Sequence, residues 1–526
     1  MPDSKSQFVL AIDLGTSGPK VALATLTGKI IDSAIGSTPI ILLPHGGVEQ
    51  DPEVWWEVIK VTTHELLERQ TIPREKIVAV SCTTQWAGTV PVDQNGNALA
   101  NAIIWMDARG AKQLPKIVGG PLRVSGYGLD KLWKWIRLSG GIPSHSGKDS
   151  IAHILYLRQE HPEIYEATYK FLEPKDYLNM RMTGRFAASF DSITLHWVTD
   201  NRDIWNITYS DQLLNLAQLD RDKLPDLKQA IDILGPIRPE VAAELGIPEQ
   251  ALVVMGTPDL HSAAIGSGGI QDYEAHLYIG TSSWLSCHVP FKKTDLSHNM
   301  ASLPSAIPGR YFIVNEQETA GACLRYLKDN ILYYQDELER ETVRDDVYQV
   351  FDRLAEESPA GSNGVIFTPW LNGERTPVDD HKARGGFFNM SLDHTRPDLI
   401  RAVFEGVAFN SRWLLRYVEK FIGQRFPAIN MIGGGANSEI WCQIHADVLN
   451  RPIRQVKDPI QANARGAAIL AGVALGATTF QEAARYVEIK QEFVPNSANR
   501  TLYNELFDAF LAIYKQNKKI YAGLNG

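Results

Sequence analysis

Short apolar runs alternate along the chain with longer stretches in which apolar residues recur every three or four positions. The runs predict β-strands, and the clearest are "FVLAIDLG", "KVALATL", "KIVAVSCTTQ", "AIIWMD", "ALVVMGT", "AHLYIGTSSWLSCHV", "YFIVNE", "GVIFTPW" and "AINMIGG". The longer stretches predict helices, among them "DPEVWWEVIKVTTHELLERQ" and "DLIRAVFEGVAFNSRWLLRYVEKF". Strands that alternate with helices indicate an α/β architecture.

One strand–turn–strand unit occurs twice, once in each half of the chain. The segment "AIDLGTSGPKVAL" near the start is matched by "LYIGTSSWLSCHV" at 277–289. A chain of 526 residues is too long for one ordinary core, so we expect two related domains, residues 1–260 and 261–526. The apolar spacing of the tail predicts a closing helix over about 500–526.

The two Gly-Thr-Ser turns are candidate phosphate cradles. In such a turn the backbone N–H groups and both hydroxyls can face one anion, and glycine lets a phosphate approach the main chain. The acid before the first turn can orient the water shell of Mg²⁺, and the lysine after it adds positive charge. A single turn of this kind is most often only a turn, but one in each half indicates a clamp on the phosphates of a nucleotide. The candidate residues are Asp13, Gly15, Thr16, Ser17 and Lys20 in the first half, and Gly280, Thr281 and Ser282 in the second.

The better-known nucleotide-binding motifs are absent from the sequence. No GxxxxGK[ST] occurs, and no GxGxxG follows a strand and opens a helix. The run "GGGANS" at 433–438 follows the strand "AINMI" and has serine where the third glycine belongs. This run either brings the backbone flat against an adenine or a ribose, or forms a crowded strand-to-helix turn.

Asp259 is the candidate catalytic base. It lies in "ALVVMGTPDLHSAAIGSG", which predicts a strand, a Gly-Thr-Pro turn and a helix rich in small residues. An aspartate at a helix start can simply cap the helix. Alternatively, it accepts the proton of a hydroxyl that attacks a γ-phosphate, because phosphoryl transfer asks the protein mainly for positioning and charge neutralisation. The small residues that follow would let the helix pack close to the nucleotide turns.

Composition excludes several other classes of function. The formal net charge of -9 argues against a nucleic-acid partner, because no basic surface is available to neutralise phosphates. The four cysteines lack CxxC spacing, and His45, His145, His196 and His261 lack metal-ligand spacing. No segment has the apolar length of a membrane span or a signal peptide. We therefore expect a cytoplasmic protein with neither a nucleic-acid nor a membrane partner.

Several of these segments, in this order, resemble the FGGY family of carbohydrate kinases, most of all its xylulokinase branch, within the actin/Hsp70/hexokinase superfamily. The resemblance extends over nearly the whole chain and rests on "IDLGTSGPK", "VEQDPEVWW", "NAIIWMDAR", "LEPKDYLNMRMTG", "GTPDLHSAAIGSG", "YIGTSS", "WLNGERTP" and "GGGANSEIWCQIHADVLNRPI". It implies two ribonuclease-H-like domains that flank a central cleft. It also implies ATP and Mg²⁺ as cofactors, and a small sugar or polyol whose hydroxyl is phosphorylated. Many relatives are dimers, so a homodimer is a possible assembly.

The resemblance also assigns roles to residues. The two Gly-Thr-Ser turns match its phosphate motifs, and Asp259 matches the catalytic base. Asp13, through water, and Asp259 are the candidate magnesium-binding carboxylates. The adenosine motif is matched by Gly434, Gly435, Ala436 and Asn437. In the signature "GERTP", with Arg375 and Thr376, we favour pairing of the arginine with a carboxylate between domains over contact with a ligand.

The chain departs from the xylulokinase pattern at the sugar-contacting loop. Where those enzymes have Gln-Met-His-Gly, this chain has "QWAG", so Gln85 and Gly88 remain while Trp86 and Ala87 replace the middle pair. Losing a histidine that can bond a sugar hydroxyl predicts a substrate other than D-xylulose. Trp86 as a core aromatic is the competing interpretation. After the strand "AIIW", Asp107 is a candidate to bind a sugar hydroxyl, whereas Arg109 suits a structural ion pair.

Two classes of function remain open from the sequence. The first is an ATP-dependent sugar kinase, such as a ketose kinase, with Asp259, Gln85, Trp86 and Asp107 at its substrate. The second is an actin- or Hsp70-like ATPase that drives a partner protein, which would not need the segments "TTQWAG" and "WMDAR". We favour the kinase. The segment 125–154, rich in glycine, serine and aromatic residues, is either an active-site rim or a solvated excursion.

Overall fold

The computed structural model describes residues 7–333 and 345–525 of the chain. Residues 1–6 and 526, at the outer ends of the two predicted domains, lie outside the described residues. The structure has two lobes, each built on a mixed β-sheet covered by helices. The α/β architecture expected from the sequence is confirmed.

The first lobe is built on a six-stranded sheet with the order β5-β6-β4-β1-β2-β3. The central strands β6, β4 and β1 are parallel, and the outer strands are antiparallel to their neighbours. The six strands are β1 (Phe8–Gly15), β2 (Gly18–Thr25), β3 (Ile30–Ile35), β4 (Ile77–Thr84), β5 (Ile233–Pro236) and β6 (Leu252–Pro258).

The second lobe is built on a five-stranded sheet with the order β8-β7-β9-β10-β11. Its central strands β7, β9 and β10 are parallel, and β8 and β11 are antiparallel edges. The five strands are β7 (Ala275–Ile279), β8 (Ser283–Ser286), β9 (Ile429–Ile432), β10 (Ile453–Val456) and β11 (Ile489–Phe493).

Helices cover both sheets, and shorter strands form small additional sheets and ladders. The helices are α1 (Pro52–Glu68), α2 (Leu114–Val118), α3 (Leu129–Leu138), α4 (Ser150–Glu160), α5 (Pro162–Ala167), α6 (Pro174–Thr183), α7 (Asp211–Ala217), α8 (Pro239–Leu245), α9 (Asp259–Gly266), α10 (Gly321–Leu327), α11 (Val347–Glu357), α12 (Arg396–Ile422), α13 (Glu439–Leu449), α14 (Ala462–Ala474), α15 (Phe480–Ala484) and α16 (Arg500–Leu524). The shorter strands are Ile41–Leu43, Gly47–Gln50, Val90–Val92, Ala102–Ile103, Arg123–Val124, Tyr127–Gly128, Lys170–Leu172, Ala187–Ser189, Thr199–Asp200, Thr208–Tyr209, Asp226–Lys228, His288–Val289, Thr294–Asp295, Met300–Pro304, Tyr311–Val314, Ile366–Thr368 and Gly386–Phe388.

Strand β1 explains why a polar side chain at its end is informative. It lies in the middle of the first sheet, and the side chains of residues 8–14 are all buried. A strand covered on both faces has a nearly continuous apolar run instead of an alternating one. Asp13 interrupts that run at the carboxyl end of the strand, which is the edge of a parallel sheet where ligands are usually bound.

The two lobes are joined by a close crossing of helices. Helix α14 lies between β10 and β11 of the second sheet along the chain, yet its alanines pack on the first sheet. It also packs against α9, where a Cβ on Gly266 would lie 1.8 Å from the carbonyl oxygen of Ala462, and one on Gly466 would lie 2.0 Å from that of Ser262. The small residues after Asp259 therefore let α9 pack closely against α14, whose Asn463 contacts both Ser262 of α9 and Asp13 beside the first turn.

In the second lobe, the sequence explains where helix α12 begins and ends and which side of helix α16 is buried. Helix α12 begins with a capping box formed by Thr395 and Asp398 and ends at Gly423, whose φ is 77°. The closing helix α16 buries aromatic side chains at helical spacing, beginning with Tyr503 and Phe507. They pack in the hydrophobic core that α12 also contributes to. Among the described residues, no helix combines the length and the apolar character that crossing a bilayer requires.

Candidate active site

The first Gly-Thr-Ser turn connects β1 to β2 and is held by residues around it. Gly18 has a φ of 136°, and a Cβ there would lie 2.3 Å from the carbonyl oxygen of Gly36, so only glycine fits. The Thr16 hydroxyl donates to Oε1 of Gln85 (3.1 Å) and accepts from Nε1 of Trp105 (2.9 Å). Ser17 is exposed at the tip of the turn. The structure thus corrects the expectation that both hydroxyls face outward, since the Thr16 hydroxyl is used within the protein.

Asp13 lies at the point where the first sheet meets the second half of the chain. Its cross-strand partner is Lys20, whose Nζ lies 3.4 Å from Oδ2 of Asp13 and donates to the carbonyl oxygen of Ile460 at 2.6 Å. Asn463, at the start of α14, donates to Oδ1 of Asp13 at 3.4 Å. The first turn is therefore fixed against the segment that leads into α14.

Asp259 is the first residue of α9, directly after β6, and its carboxylate accepts from the backbone N–H of Leu260 at 2.8 Å. Desolvation in the cleft, followed by the negative charges of Asp13 and Glu316, raises its pKa to about 8. Carboxylates that share a desolvated space repel one another, and a hydrated divalent cation is a group that relieves this repulsion. The pair Asp13 and Asp259 therefore fits a magnesium ion carried by a phosphate.

The second Gly-Thr-Ser turn connects β7 to β8 on the facing lobe. Backbone N–H groups at the start of α10 bond its carbonyls, and Arg325 donates to the Thr281 hydroxyl at 2.9 Å. The Ser282 hydroxyl bonds the Glu316 carboxylate, the same group whose charge acts on Asp259. Burial raises the pKa of Tyr278, just before this turn, and the charges of Asp259 and Asp13 raise it further. Asp259 therefore lies close enough to groups beside both turns for their charges to act on it.

The glycine run lies beside the second turn because β7 and β9 are parallel neighbours, with Tyr278 opposite Ile432. Gly433 and Gly435 pack on Ile279, where a Cβ would lie 2.6 Å and 2.4 Å from its atoms. Gly434 is exposed, and a Cβ there would meet nothing within 4 Å. The surface beside Gly434 is thus open to a flat ligand.

The two residues after the glycines behave differently. Asn437 is exposed, just before the Ser438 cap of α13. Ala436 is fully buried, its N–H donates to the Gly433 carbonyl, and its carbonyl accepts from Gln455 at 2.6 Å. Contrary to our expectation, Ala436 supports the turn and presents no group to a nucleotide.

The sugar-loop residues are turned into the protein. Gln85 is 2% exposed, and its amide donates to Oε1 of Gln50 at 2.7 Å. Trp86 is 7% exposed, its Nε1 donates to the carbonyl oxygen of Ser192 at 2.9 Å, and its ring packs edge-on against His261. The structure therefore corrects the expectation that Gln85 and Trp86 offer side-chain donors to a substrate, and supports the core interpretation of Trp86.

Asp107 is also turned inward. It is fully buried, its Oδ2 accepts from the backbone N–H of Val48 at 2.8 Å, and both its oxygens accept from Arg109. Arg109 additionally pairs with Glu49 at 2.6 Å. The ion pair predicted for Arg109 is present, and it occupies the carboxylate that we had assigned to a sugar hydroxyl.

Sequence reasoning missed several residues that line or support the cleft. Gln50 is fully buried and donates to the Thr16 carbonyl at 2.9 Å, so it holds the first turn from behind. Trp105 reaches the same turn, and Glu316 links the second turn to Asp259. Their only sequence signal was their position inside or next to the quoted motifs, which does not show where a side chain points.

Arg375 pairs with Glu316 and Glu318, so its predicted carboxylate pairing is present, but both partners lie in the same lobe as Arg375 and not across the domain boundary. Lys148, from the segment 125–154, lies 3.6 Å from Glu318. This segment therefore reaches the second lobe. Among residues 7–333 and 345–525, no three His, Cys, Asp or Glu side chains form a metal-binding group.

Comparison with known proteins gives a consistent family. The model of the FGGY family of carbohydrate kinases, N-terminal domain, matches residues 8–266, and that of its C-terminal domain matches residues 275–475. A xylulose kinase of Staphylococcus epidermidis is 30% identical over 537 residues, with 98% of each chain covered. A gluconate kinase and a ligand-bound xylulose kinase from Lactobacillus acidophilus have similar structures. Each has a TM-score of 0.84 at 24% identity, covering 99% and 98% of this chain and 100% of theirs. The fold is therefore shared by kinases with different substrates and does not distinguish between them.

Proposed function

This chain belongs to the FGGY family of carbohydrate kinases, and on that premise we propose that it transfers the γ-phosphoryl group of ATP to a hydroxyl of a small neutral sugar or polyol. The observation that supports this assignment best is the environment of Asp259. A carboxylate at the start of a helix, with its pKa raised to about 8, is a stronger base than a free aspartate and can take the proton of a hydroxyl whenever it is ionised. The nearness of Asp259 to groups beside both Gly-Thr-Ser turns supports the same proposal.

Separate groups of residues bind the phosphates, bind the adenosine and remove the proton. The backbone of Gly15–Ser17 and of Gly280–Ser282 holds the phosphates from opposite lobes, and Lys20 adds positive charge. The open surface at Gly434 and Asn437 takes the adenosine. Asp259 orients the acceptor hydroxyl and removes its proton as the new bond to phosphorus forms. Closure of the lobes excludes water, which limits hydrolysis of ATP.

We further propose Mg²⁺ as the metal, held by Asp13 through water and by the phosphates, with Asp259 facing the same ion. When bound, it neutralises charge on the transferring phosphoryl group. Magnesium usually binds proteins through one or two carboxylates together with substrate phosphates, so the absence of a larger cluster of ligands in the described residues fits this assignment.

The substrate is proposed to be a ketose or polyol other than D-xylulose. At the positions of the xylulokinase Met-His pair, the Trp86 indole N–H is already bonded to Ser192, and Ala87 has no polar side chain. This loop therefore lacks the histidine that would bond a sugar hydroxyl. A panel of ketoses and polyols tests the idea, and highest kcat/KM on D-xylulose would contradict it.

The replacement of Asp259 by Asn tests the central role. We expect Asp259→Asn to lower kcat by roughly 10²- to 10⁴-fold while the Kd for ADP stays within about twofold, because a general base contributes to transfer and not to nucleotide binding. Asp226→Asn, at an exposed position on a peripheral strand, is the matched control. Sugar-independent ATP hydrolysis that Asp259→Asn leaves unchanged would instead favour the partner-driving ATPase.

A possible homodimer, expected from the family, and a cytoplasmic location, expected from the sequence, stay predictions. A homodimer is tested by analytical ultracentrifugation, and the cytoplasmic location is tested by cell fractionation.

A further inference from the structure

Strand β6, which leads into Asp259, pairs irregularly with β4 just before the catalytic candidate. Val254 lies opposite Ser81, and the next regular pair joins Thr257 to Thr83. Met255 and Gly256 therefore face one residue of β4, Cys82. Two residues opposite one form a β-bulge, a device that changes the direction of a strand and often lies next to active sites.

The bulge has a restricted backbone. Gly256 has a φ of 69°, and a Cβ there would lie 2.1 Å from the carbonyl oxygen of Cys82. Only glycine adopts this conformation in that space. The bulge thus sets the path of the chain over the three residues that lead to Asp259.

The Met255 carbonyl, which the bulge removes from regular pairing, is held by two buried side chains of α6. Lys175 donates to it from Nζ at 3.1 Å, and Asn179 donates from Nδ2 at 2.7 Å. Lys175 and Asn179 are both 0% exposed. We call Lys175, Asn179 and the Met255 carbonyl the bulge clamp.

The clamp is joined to a second contact farther along the same strand. Lys175 also donates to the buried Asp176, which accepts from the Ser192 hydroxyl. Asp191, one residue before Ser192, accepts from the Thr257 hydroxyl, and the charge of Lys175 acts on it. Both contacts act on the segment between Val254 and Asp259.

Burial of a lysine–aspartate pair is a poor way to gain stability, because desolvation offsets most of the attraction and apolar residues of similar size do as well. We propose that Lys175 is a positioning residue for Asp259, acting through the bulge clamp; this rests on the catalytic role proposed for Asp259. The Lys175 ammonium bonds the Met255 carbonyl and thereby fixes the position of the Asp259 carboxylate relative to the phosphate cradles. Lys175 contacts neither substrate.

The experiment compares Lys175→Met with the double variant Lys175→Met/Asp176→Leu. The double variant removes both charges of the buried pair, so that the aspartate is not left without its partner. Arg181→Met is the matched control, because Arg181 lies on the same helix and pairs with Glu53 at the surface.

We expect Lys175→Met and the double variant to lower kcat about 10- to 100-fold, the effect of a misplacement of about 1 Å. The KM for MgATP and the Kd for ADP stay within about twofold, because the phosphate cradles are elsewhere. Hydrogen exchange of residues 252–258, followed by mass spectrometry, becomes faster in both variants. Arg181→Met leaves all three readouts unchanged.

The double variant separates positioning from stability. If the double variant regains the wild-type Tm but not the wild-type kcat, the proposal is supported. If it regains both, the proposal is overturned. Hydrogen exchange at 252–258 that is unchanged in the variants also overturns it. If Lys175→Met fails to fold, the double variant alone carries the test. The exchange readout does not depend on activity: a wild-type protein that phosphorylates no sugar, with faster exchange in the variants, would refute the proposed function while leaving the clamp in place.

Discussion

The raised pKa of Asp259 predicts a particular pH profile. A general base must be deprotonated to act. The value of kcat/KM, which reports the ionisation of the enzyme before nucleotide binds, therefore rises with pH up to about 8. Half of the group is deprotonated at pH 8 and about 1% at pH 6, so kcat/KM for MgATP falls about 50-fold between these two values. A coupled assay of ADP release, with the coupling enzymes in excess at every pH, measures the profile.

The contribution of the neighbouring negative charge to the raised pKa can be tested by itself. Asp13→Asn removes the neighbouring negative charge and should move the acidic limb to lower pH, while lowering the maximum rate, because Asp13 also serves the metal. Asp32→Asn, on β3 and paired with Arg69, should leave the limb in place. At saturating MgATP the limb of kcat should lie below that of kcat/KM, since the cation stabilises the carboxylate. A flat profile between pH 6 and 8, or an unmoved limb in Asp13→Asn, would refute this reasoning.

Three other substitutions test separate parts of the structure. Gly434→Leu should raise the KM for MgATP at least about tenfold, because its side chain would fill the open space beside the glycine run. It should not lower Tm, because that side chain meets no protein atom. The control Gly523→Leu, on α16, should change neither KM nor Tm. Gly466→Ala should destabilise the protein by about 1–3 kcal/mol, seen as a lower Tm, because its Cβ would lie 2.0 Å from the Ser262 carbonyl oxygen; an unchanged Tm would show that α9 and α14 can separate at no cost. Asp259→Asn should raise Tm by a few degrees above pH 8, since the folded state is destabilised by this charge as pH rises from about 4 to 8, and the advantage should vanish below pH 4.

Much of the fold could be predicted from local patterns. The buried run of β1, the spacing of α1 and α12 and the repeated strand–turn–strand unit each depend on residues that are close in the sequence. The segment "AIIWMD" was predicted as one strand, but only Ala102–Ile103 is a strand, because the chain turns at once to bury Asp107 against Arg109. Short apolar runs of this kind predict burial better than they predict conformation.

The candidate site likewise has features that the sequence predicts and features that only the structure shows. The sequence by itself determined where the chain needs glycine, where an acid ends a buried strand and where a helix begins at Asp259, because these depend on backbone conformation within a few residues. Only the tertiary structure decided which polar groups remain available. Gln85 and Trp86 are satisfied by Gln50 and Ser192, which are distant in the sequence. Asp107 is satisfied by Arg109, whose ion pair was predicted, but only the structure shows that Asp107 is its partner. The pKa of Asp259 depends on charges at positions 13 and 316, and Coulomb interactions follow distance in space and exclusion of water, neither of which a linear pattern contains.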